Sequence, residues 1–462
     1  MSPLSQRWII VIGLTIFVGI AMRVSNVFQY PIDMGFDAQG NWSYVSGLLR
    51  SWALPSPDSG WSTAHPPLFY YVAGAIGRIF GGVGELGKAS AIHAIRFASM
   101  CFGLLGIVAA VVFVQRADPG NSRRAVFAGG LLLFLPVHLY MSAMLTEEIL
   151  VTTLISIVVV GVGLDLTAEP ERTPKALMRA GLFGGIAGLA LLTKLTGLLV
   201  IAAGGAAYLL VDLRAARDAG SWASSLVRPG VFGAAAVLVG GWFFAWNWLQ
   251  YGYLYPHALE VHSVMFRMPP GSRSLIDYLS FPWQLFIDPN LLSPNLIHSV
   301  WGSTYATIWF DAHRHFVPLD GVSIARLATA ILVLGLLPTI AFGVGLLRGI
   351  RRVLHSIPGP DVLLLLLVIA TFGGYLVFSW RNPWFVVLKG SFLLGLCVPF
   401  SFYASEVLAD WTRGSDWRSK GVFTCVGLLT ILVIVTFSYG VVLEKHELPG
   451  IPWTPVETSW QP

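Results

Sequence analysis

Five short stretches of the chain set ionisable side chains against long apolar runs. They are YPIDMGFDAQGNWSYV (30–45) with Asp33 and Asp37, TAHPPLFYY (63–71) with His65, SAMLTEEILVTTL (142–154) with Glu147 and Glu148, LALLTKLTGLLV (189–200) with Lys194, and FVVLKGSFLLGLCVPF (385–400) with Lys389. Arg96 in AIHAIRFASM and Arg381, shortly before Lys389, add two further cations. Charges at or within membrane-length apolar runs are costly, so they are functional candidates by default. Carboxylates and cations gathered at one depth suit a reaction on an anionic, lipid-held substrate. Arg and Lys bind phosphate oxygens, apolar helices hold a lipid tail, and a carboxylate orients or deprotonates the attacking group. A structural role is open to each residue as well. Asp37 before a helical turn is a natural N-cap, Glu147 and Glu148 complement the dipole of the helix they open, and Lys194 or Lys389 can snorkel from a helix end.

The elements that would position these residues follow from composition. The chain has 462 residues, 55% hydrophobic and 11% charged, with a mean hydropathy of +0.70. Soluble domains carry about 25% charged residues, so the fold class is an all-α polytopic membrane protein, one integral domain over residues 1–462. The net charge of +5 reads as loop bias that orients helices in a bilayer, with no nucleic-acid partner implied. Cys101, Cys397 and Cys425 sit inside apolar runs at spacings that suggest neither a metal site nor a disulfide framework. Eleven runs are long enough to cross: 8–27, 94–114, 125–143, 148–166, 178–193, 196–212, 229–249, 322–347, 361–379, 385–404 and 420–441. The first has no convincing small-residue cleavage site and reads as a retained helix.

Charge parity orders these spans. Arg7, Arg116, Arg123, Arg124, Arg172, Lys175, Arg179, Arg214, Arg217, Arg228, Arg348, Arg351, Arg352, Arg413, Arg418 and Lys420 cluster in short loops, as cytoplasmic loops do. All fall on one side provided that the stretch 66–82 does not cross. Residues 28–93 then form a first external loop and residues 251–321 a second, and long structured loops on one face are where function is usually carried. Within the first loop, residues 37–54 read as an amphipathic helix with Trp42, Val45, Leu48 and Leu49 on its apolar side. Pro66 and Pro67 suit the first turn of a juxtamembrane helix, with His65 held at headgroup depth.

The order of these motifs resembles the membrane-embedded C-type glycosyltransferases, near the protein O-mannosyltransferases and the aminoarabinose transferase that modifies lipid A. FDAQGNWSYVSGLLRSWALP, AHPPLFYYVAGAIGRIFG, IRFASMCFGLLG, LTEEIL, LLTKLTG and LKGSFLLGLCVPF follow one another as that family's steps do. The resemblance covers residues 1–215 well and the last third more loosely. It implies Asp37 as the catalytic base, Glu147 as a second acidic residue with Glu148 as substitute, and His65 beside the donor's lipid phosphate. Arg96, Lys194, Lys389 and Arg381 become phosphate-facing or structural cations, with Asp33 an accessory acid. It also implies that a divalent cation (Mg, Mn or Zn) could be shared by Asp37, Glu147 and His262, the last also suited to an aromatic belt. Two departures weaken that cation site: Ala38 stands where the family has an acid after the catalytic Asp, and Ala64 where an acid precedes the His-Pro-Pro step. The implied activity is inverting transfer of a sugar from a polyprenyl-phosphate donor to a glycan, lipid or protein acceptor on the outer face of the cell membrane. A transporter or flippase of lipid-linked sugars, and a non-catalytic envelope-assembly protein, are the competing readings.

Overall fold

The computed structural model describes residues 6–33, 35–81, 87–167, 173–219, 222–255, 273–289, 296, 298–310, 322–355, 359–382, 387–414 and 416–438. Among them there are helices and no strands. In chain order these are α1 (Gln6–Gln29), α2 (Ala38–Ser51), α3 (Leu68–Phe80), α4 (Lys88–Ala117), α5 (Ser122–Leu133), α6 (Pro136–Met141), α7 (Glu148–Thr167) and α8 (Pro174–Thr193). They continue as α9 (Gly197–Ala219), α10 (Val227–Tyr251), α11 (Leu275–Leu279), α12 (Val300–Trp309), α13 (Val322–His355), α14 (Gly359–Arg381), α15 (Cys397–Trp411) and α16 (Trp417–Phe437). A 3-10 turn, Gly390–Leu396, leads into α15.

Ten helices among the described residues are long and apolar enough to cross a membrane, one fewer than the apolar runs predict. The difference lies in 125–143. Hydropathy sees a single run there, but α5 ends at Leu133 and α6 begins at Pro136, with Leu135 extended between them (φ −69°, ψ 114°). Proline has no N–H to continue the ladder and pushes the residue before it out of helical geometry. Carbonyls released by such a break need donors where water is scarce. Arg23 from α1, fully buried, supplies them, donating to Leu133 O at 2.8 Å, Leu132 O at 3.4 Å and the Ser142 hydroxyl at 2.9 Å.

The broken pair still joins the two ends of the bundle. Arg124, in the first turn of α5, lies 3.6 Å from both Asp118 and Glu406, whereas Glu147, past α6, meets Lys194 at the end of α8. The parallel neighbours α8 and α10 pack closely where side chains are smallest. A Cβ on Gly188 of α8 would stand 2.6 Å from Ala236 O of α10, and one on Gly240 would stand 2.7 Å from Gly188 O, the small-residue contact that lets membrane helices approach. The stretch 66–82 is not among the ten spans. It yields α3, 13 residues long, whose Phe69, Tyr70 and Ala73 join Tyr44, Val45, Leu48 and Leu49 of α2 in a small core beside the bundle. With α2 and α3 side by side, His65 and Asp37 are carried to the same end as Glu147.

Candidate active site

Asp37 precedes α2 with a left-handed backbone (φ 56°, ψ 17°) and its side chain makes no capping hydrogen bond. Left-handed geometry is uncommon for a residue with a Cβ, and such residues gather at functional sites. The capping alternative is therefore set aside. Its carboxylate instead accepts from Trp61 Nε1 at 2.9 Å and faces Lys389 Nζ at 3.6 Å. Trp61 reaches it because Gly40 has no side chain: a Cβ there would meet Trp61 Cδ1 at 2.9 Å and the Ser62 hydroxyl at 2.8 Å. Asn41, one turn on, donates to Leu145 O at 2.8 Å and accepts from the Tyr70 hydroxyl at 2.8 Å. That pair of bonds ties α2 and α3 to the segment leading into Glu147.

Lys194 occupies the extended link between α8 and α9 (φ −159°, ψ 147°), and it does not snorkel. Its ammonium donates to Glu147 Oε1 at 2.9 Å and to Glu148 Oε1 at 2.7 Å. His65 Nδ1 lies 3.4 Å from the same Glu147 Oε1. Burial alone would raise the Glu147 carboxyl, but the Lys194 charge and then His65 outweigh it and hold it at about 2. Burial likewise works against the Lys194 ammonium, and the two glutamates more than offset it, so its pKa lies above the ordinary lysine value. For Asp37, burial and the Glu147 charge push upward, while Lys389 and the Trp61 hydrogen bond prevail and leave the carboxyl below the usual aspartate value. All three groups are ionised at neutral pH.

The two ammonium groups share an aromatic wall. Phe392 lies 5.2 Å from Lys194 Nζ and 5.5 Å from Lys389 Nζ, and Phe36 lies 4.5 Å from Lys389 Nζ, where ring faces attract cations. Tyr255, just past α10, feels the charges of Lys194 and Glu147, and burial first among these causes pushes its phenol up to about 12. Trp61, Phe392 and Tyr255 escape a search for residues charged at neutral pH. Only their spacing, four residues before His65 and three after Lys389 for the first two, hints at them.

The other candidates lie elsewhere. Arg96 is corrected from a phosphate ligand to a structural residue: buried, it donates to the carbonyls of Tyr30 (2.9 Å), Pro31 (2.8 Å) and Ile32 (3.1 Å), fixing the link between α1 and α2. Asp33 pairs with Lys88 at 3.2 Å on the surface. Arg381 is the exposed last residue of α14. His262 lies outside the described residues. Among the described residues no three His, Cys, Asp or Glu side chains come together to hold a metal ion. Of the two described members of that donor set, Glu147 is bonded to Lys194 and Asp37 faces Lys389.

What remains is graded in exposure. The side chains of Glu147, Glu148, Lys194 and Lys389 are 5%, 7%, 11% and 10% accessible, while Asp37 and His65 are 35% and 27% accessible. A buried, interlocked charge cluster thus presents one carboxylate and one imidazole outward.

Residues 64–239 match the dolichyl-phosphate-mannose-protein mannosyltransferase family, a stretch that contains His65, Glu147, Glu148 and Lys194 but neither Asp37 nor Lys389. No curated protein matches the sequence. Among solved structures, the Archaeoglobus fulgidus oligosaccharyltransferase in complex with Zn and sulfate is 17% identical, with a TM-score of 0.54 over 93% of this chain and 53% of that one. The same archaeal enzyme in complex with an inhibitory peptide and a dolichol-phosphate gives 14%, 0.52, 95% and 56%. The aminoarabinose transferase ArnT from Cupriavidus metallidurans, bound to undecaprenyl phosphate, gives 16%, 0.43, 88% and 79%. The chain spans about half the length of the oligosaccharyltransferase it matches. At these identities the likeness is one of fold, shared with the archaeal oligosaccharyltransferase.

Proposed function

We propose that the chain transfers a sugar from a polyprenyl-phosphate donor to an acceptor hydroxyl at the outer face of the cell membrane, with inversion. The observation that carries this reading is the exposure gradient: Asp37 and His65 stand accessible at the rim of a buried cluster of two lysines and two glutamates. The family match over 64–239 supports it, as does the dolichol-phosphate in complex with the similar archaeal oligosaccharyltransferase. The face is assigned from the basic loops, which fall at the opposite end.

The acceptor hydroxyl attacks the anomeric carbon as the bond to the donor phosphate breaks, leaving the lipid phosphate with the bonding electrons. His65 and Lys389 meet the developing phosphate charge; preorganised charges of this kind usually make the largest contribution in such a site. Lys194 is held by two carboxylates and serves instead to keep Glu147 placed beside His65. Asp37 accepts the proton. Its low pKa makes it a weak base, so by Brønsted behaviour it takes that proton late, after bond-breaking has made the hydroxyl acidic. Only one carboxylate attends the attacking side, whereas retention needs a second as nucleophile.

The test is incubation of the purified protein in proteoliposomes with labelled polyprenyl-phosphate sugars. Release of lipid phosphate with sugar transfer or hydrolysis supports the reading. Movement of intact donor between leaflets marks a flippase, and neither outcome marks a non-catalytic protein.

A further inference from the structure

Below the charge cluster, on the membrane side of Glu148, lies a cavity of ≈ 10 Å³, room for a single water-sized body. Its polar lining comes from Glu148, Thr152, Thr196, Thr371 and Ser391. Thr152 and Ser391 are each 2% exposed, and their hydroxyls have no hydrogen-bond partner among the described residues. Buried hydroxyls of this kind are rarely left unmatched, because desolvation is not repaid. Two unmatched hydroxyls and a carboxylate around one small cavity point to a ligand.

Charge decides its chemistry. An anion would meet Glu148. A cation would meet the Lys194 ammonium, 2.7 Å from Glu148 Oε1, and the positive ends of α7 and α9, whose first turns contribute Glu148 and Leu199 to the lining. A neutral molecule that both donates and accepts fits without either conflict.

We propose that the cavity holds one resident water bridging Thr152 and Ser391 to Glu148, which makes Thr152 and Ser391 positioning residues for the lysine pair. The water ties α7 to the 3-10 turn Gly390–Leu396 through Ser391, two residues past Lys389. Gly390 N donates to Thr307 Oγ1 at 2.7 Å from the other side, so the turn is pinned between two elements. Phe392 in that turn stands between both ammonium groups. Removing the water loosens the turn and lets Lys389 drift from Asp37. The water site rests on geometry alone; the link to lysine positioning rests on the donor-phosphate reading above.

The experiment compares wild type with Thr152→Val, Ser391→Ala and the double variant, each by high-resolution structure and by binding of polyprenyl phosphate. The expected result is one density feature within hydrogen-bond distance of the three oxygens in wild type and none in the double variant. Each single change should weaken lipid-phosphate binding roughly fivefold, the order expected for one ordered water. The double variant should be no weaker than either single, since both act through one water, and Ser391→Thr should bind as wild type does. Additive losses, or unchanged affinity with the water gone, would remove the positioning role. A thermal stability that rises in sodium and not in choline would replace the water with a cation. Wild type that binds no lipid phosphate but shows the density would overturn the functional reading and leave the water in place.

Discussion

The two ends of the helix bundle both bury carboxylates against cations, but they do so with different residues. At the end away from Asp37 the cations are arginines. Asp165 accepts from Arg179 Nε at 2.5 Å and from the Tyr208 hydroxyl at 3.0 Å, with Arg228 3.7 Å away and also bonded to Asp212 at 3.1 Å. Arg352 grips Asp361 through two nitrogens at 2.8 and 2.9 Å and reaches Glu406 at 3.0 Å, while Tyr403 donates to Asp361 at 2.9 Å. At the Asp37 end the cations are Lys194 and Lys389, with His65 beside them. A guanidinium fork fixes its carboxylate in one plane and stays charged, whereas an ammonium is a point charge on a flexible stem. One end is locked by matched forks and tyrosines, and the other holds buried ammonium point charges beside two accessible groups. On the function proposed above, stability and chemistry would thereby be separated along the helices.

The strongest way to break that contrast is at Asp37. Asp37→Asn keeps the shape and the Trp61 contact but removes the acceptor of the proton. Transfer should fall by roughly a thousandfold, within the range general-base catalysis supplies, while the protein stays folded in detergent with a thermal midpoint lowered only modestly by the lost Lys389 pairing. Near-normal turnover would sink the assignment of Asp37. At the far end the outcomes should exchange. Asp165→Ala leaves Arg228, whose side chain is 7% accessible, with one carboxylate partner fewer and should cost about 3 kcal/mol of stability. Activity per folded molecule should hold. A fall in specific activity without loss of stability would show that the two ends are not separate.

Exchanging the cation types tests the contrast more finely. Lys194→Arg retains charge but places a planar fork where two carboxylates converge on a point, at 2.9 and 2.7 Å. It should lower transfer about tenfold through a displaced Glu147, on the scale of small geometric errors in preorganised sites, and leave the thermal midpoint within a few degrees. Arg228→Lys should do the reverse. If both swaps change stability alone, the lysines have no special part at the Asp37 end.

Much of this arrangement was legible in the sequence, and the failures are specific. Asp37, His65, Glu147, Glu148, Lys194 and Lys389 lie far apart in the chain, yet all meet, because an ionisable group at the end of an apolar helix must find an opposite charge. Charge parity required that 66–82 not cross, and the structure gives there a helix of 13 residues that is not among the ten long apolar ones. The break at Pro136 was hidden because hydropathy weighs proline's polarity and not its missing N–H. Arg96 looked free to meet a phosphate because backbone carbonyls, its actual partners, carry no signature in a sequence. Trp61 escaped notice for a related reason: its bond to Asp37 depends on Gly40 leaving room, a contact that no spacing rule states. Side-chain charge could be read from the letters, and backbone geometry could not.

The gentlest probe of the comparison is pH. The Lys194 ammonium and His65 outweigh burial and hold the Glu147 carboxyl at about 2, below the ordinary glutamate range. A carboxyl whose pKa is depressed on folding stabilises the fold fully above its unfolded value, and that contribution drains away as pH falls through the folded value. The Glu147 contribution should therefore be constant from pH 7 down to about 5, then decline between 4.5 and about 2. Thermal melts of wild type and Glu147→Gln measured across that range isolate it, since the remaining acids titrate in both. The difference between the two proteins should be flat near neutrality and shrink towards acid. A difference that instead grows as pH falls would mean that Glu147 enters the fold protonated, so that Lys194 serves Glu148 alone and the interlocked cluster is a simple pair.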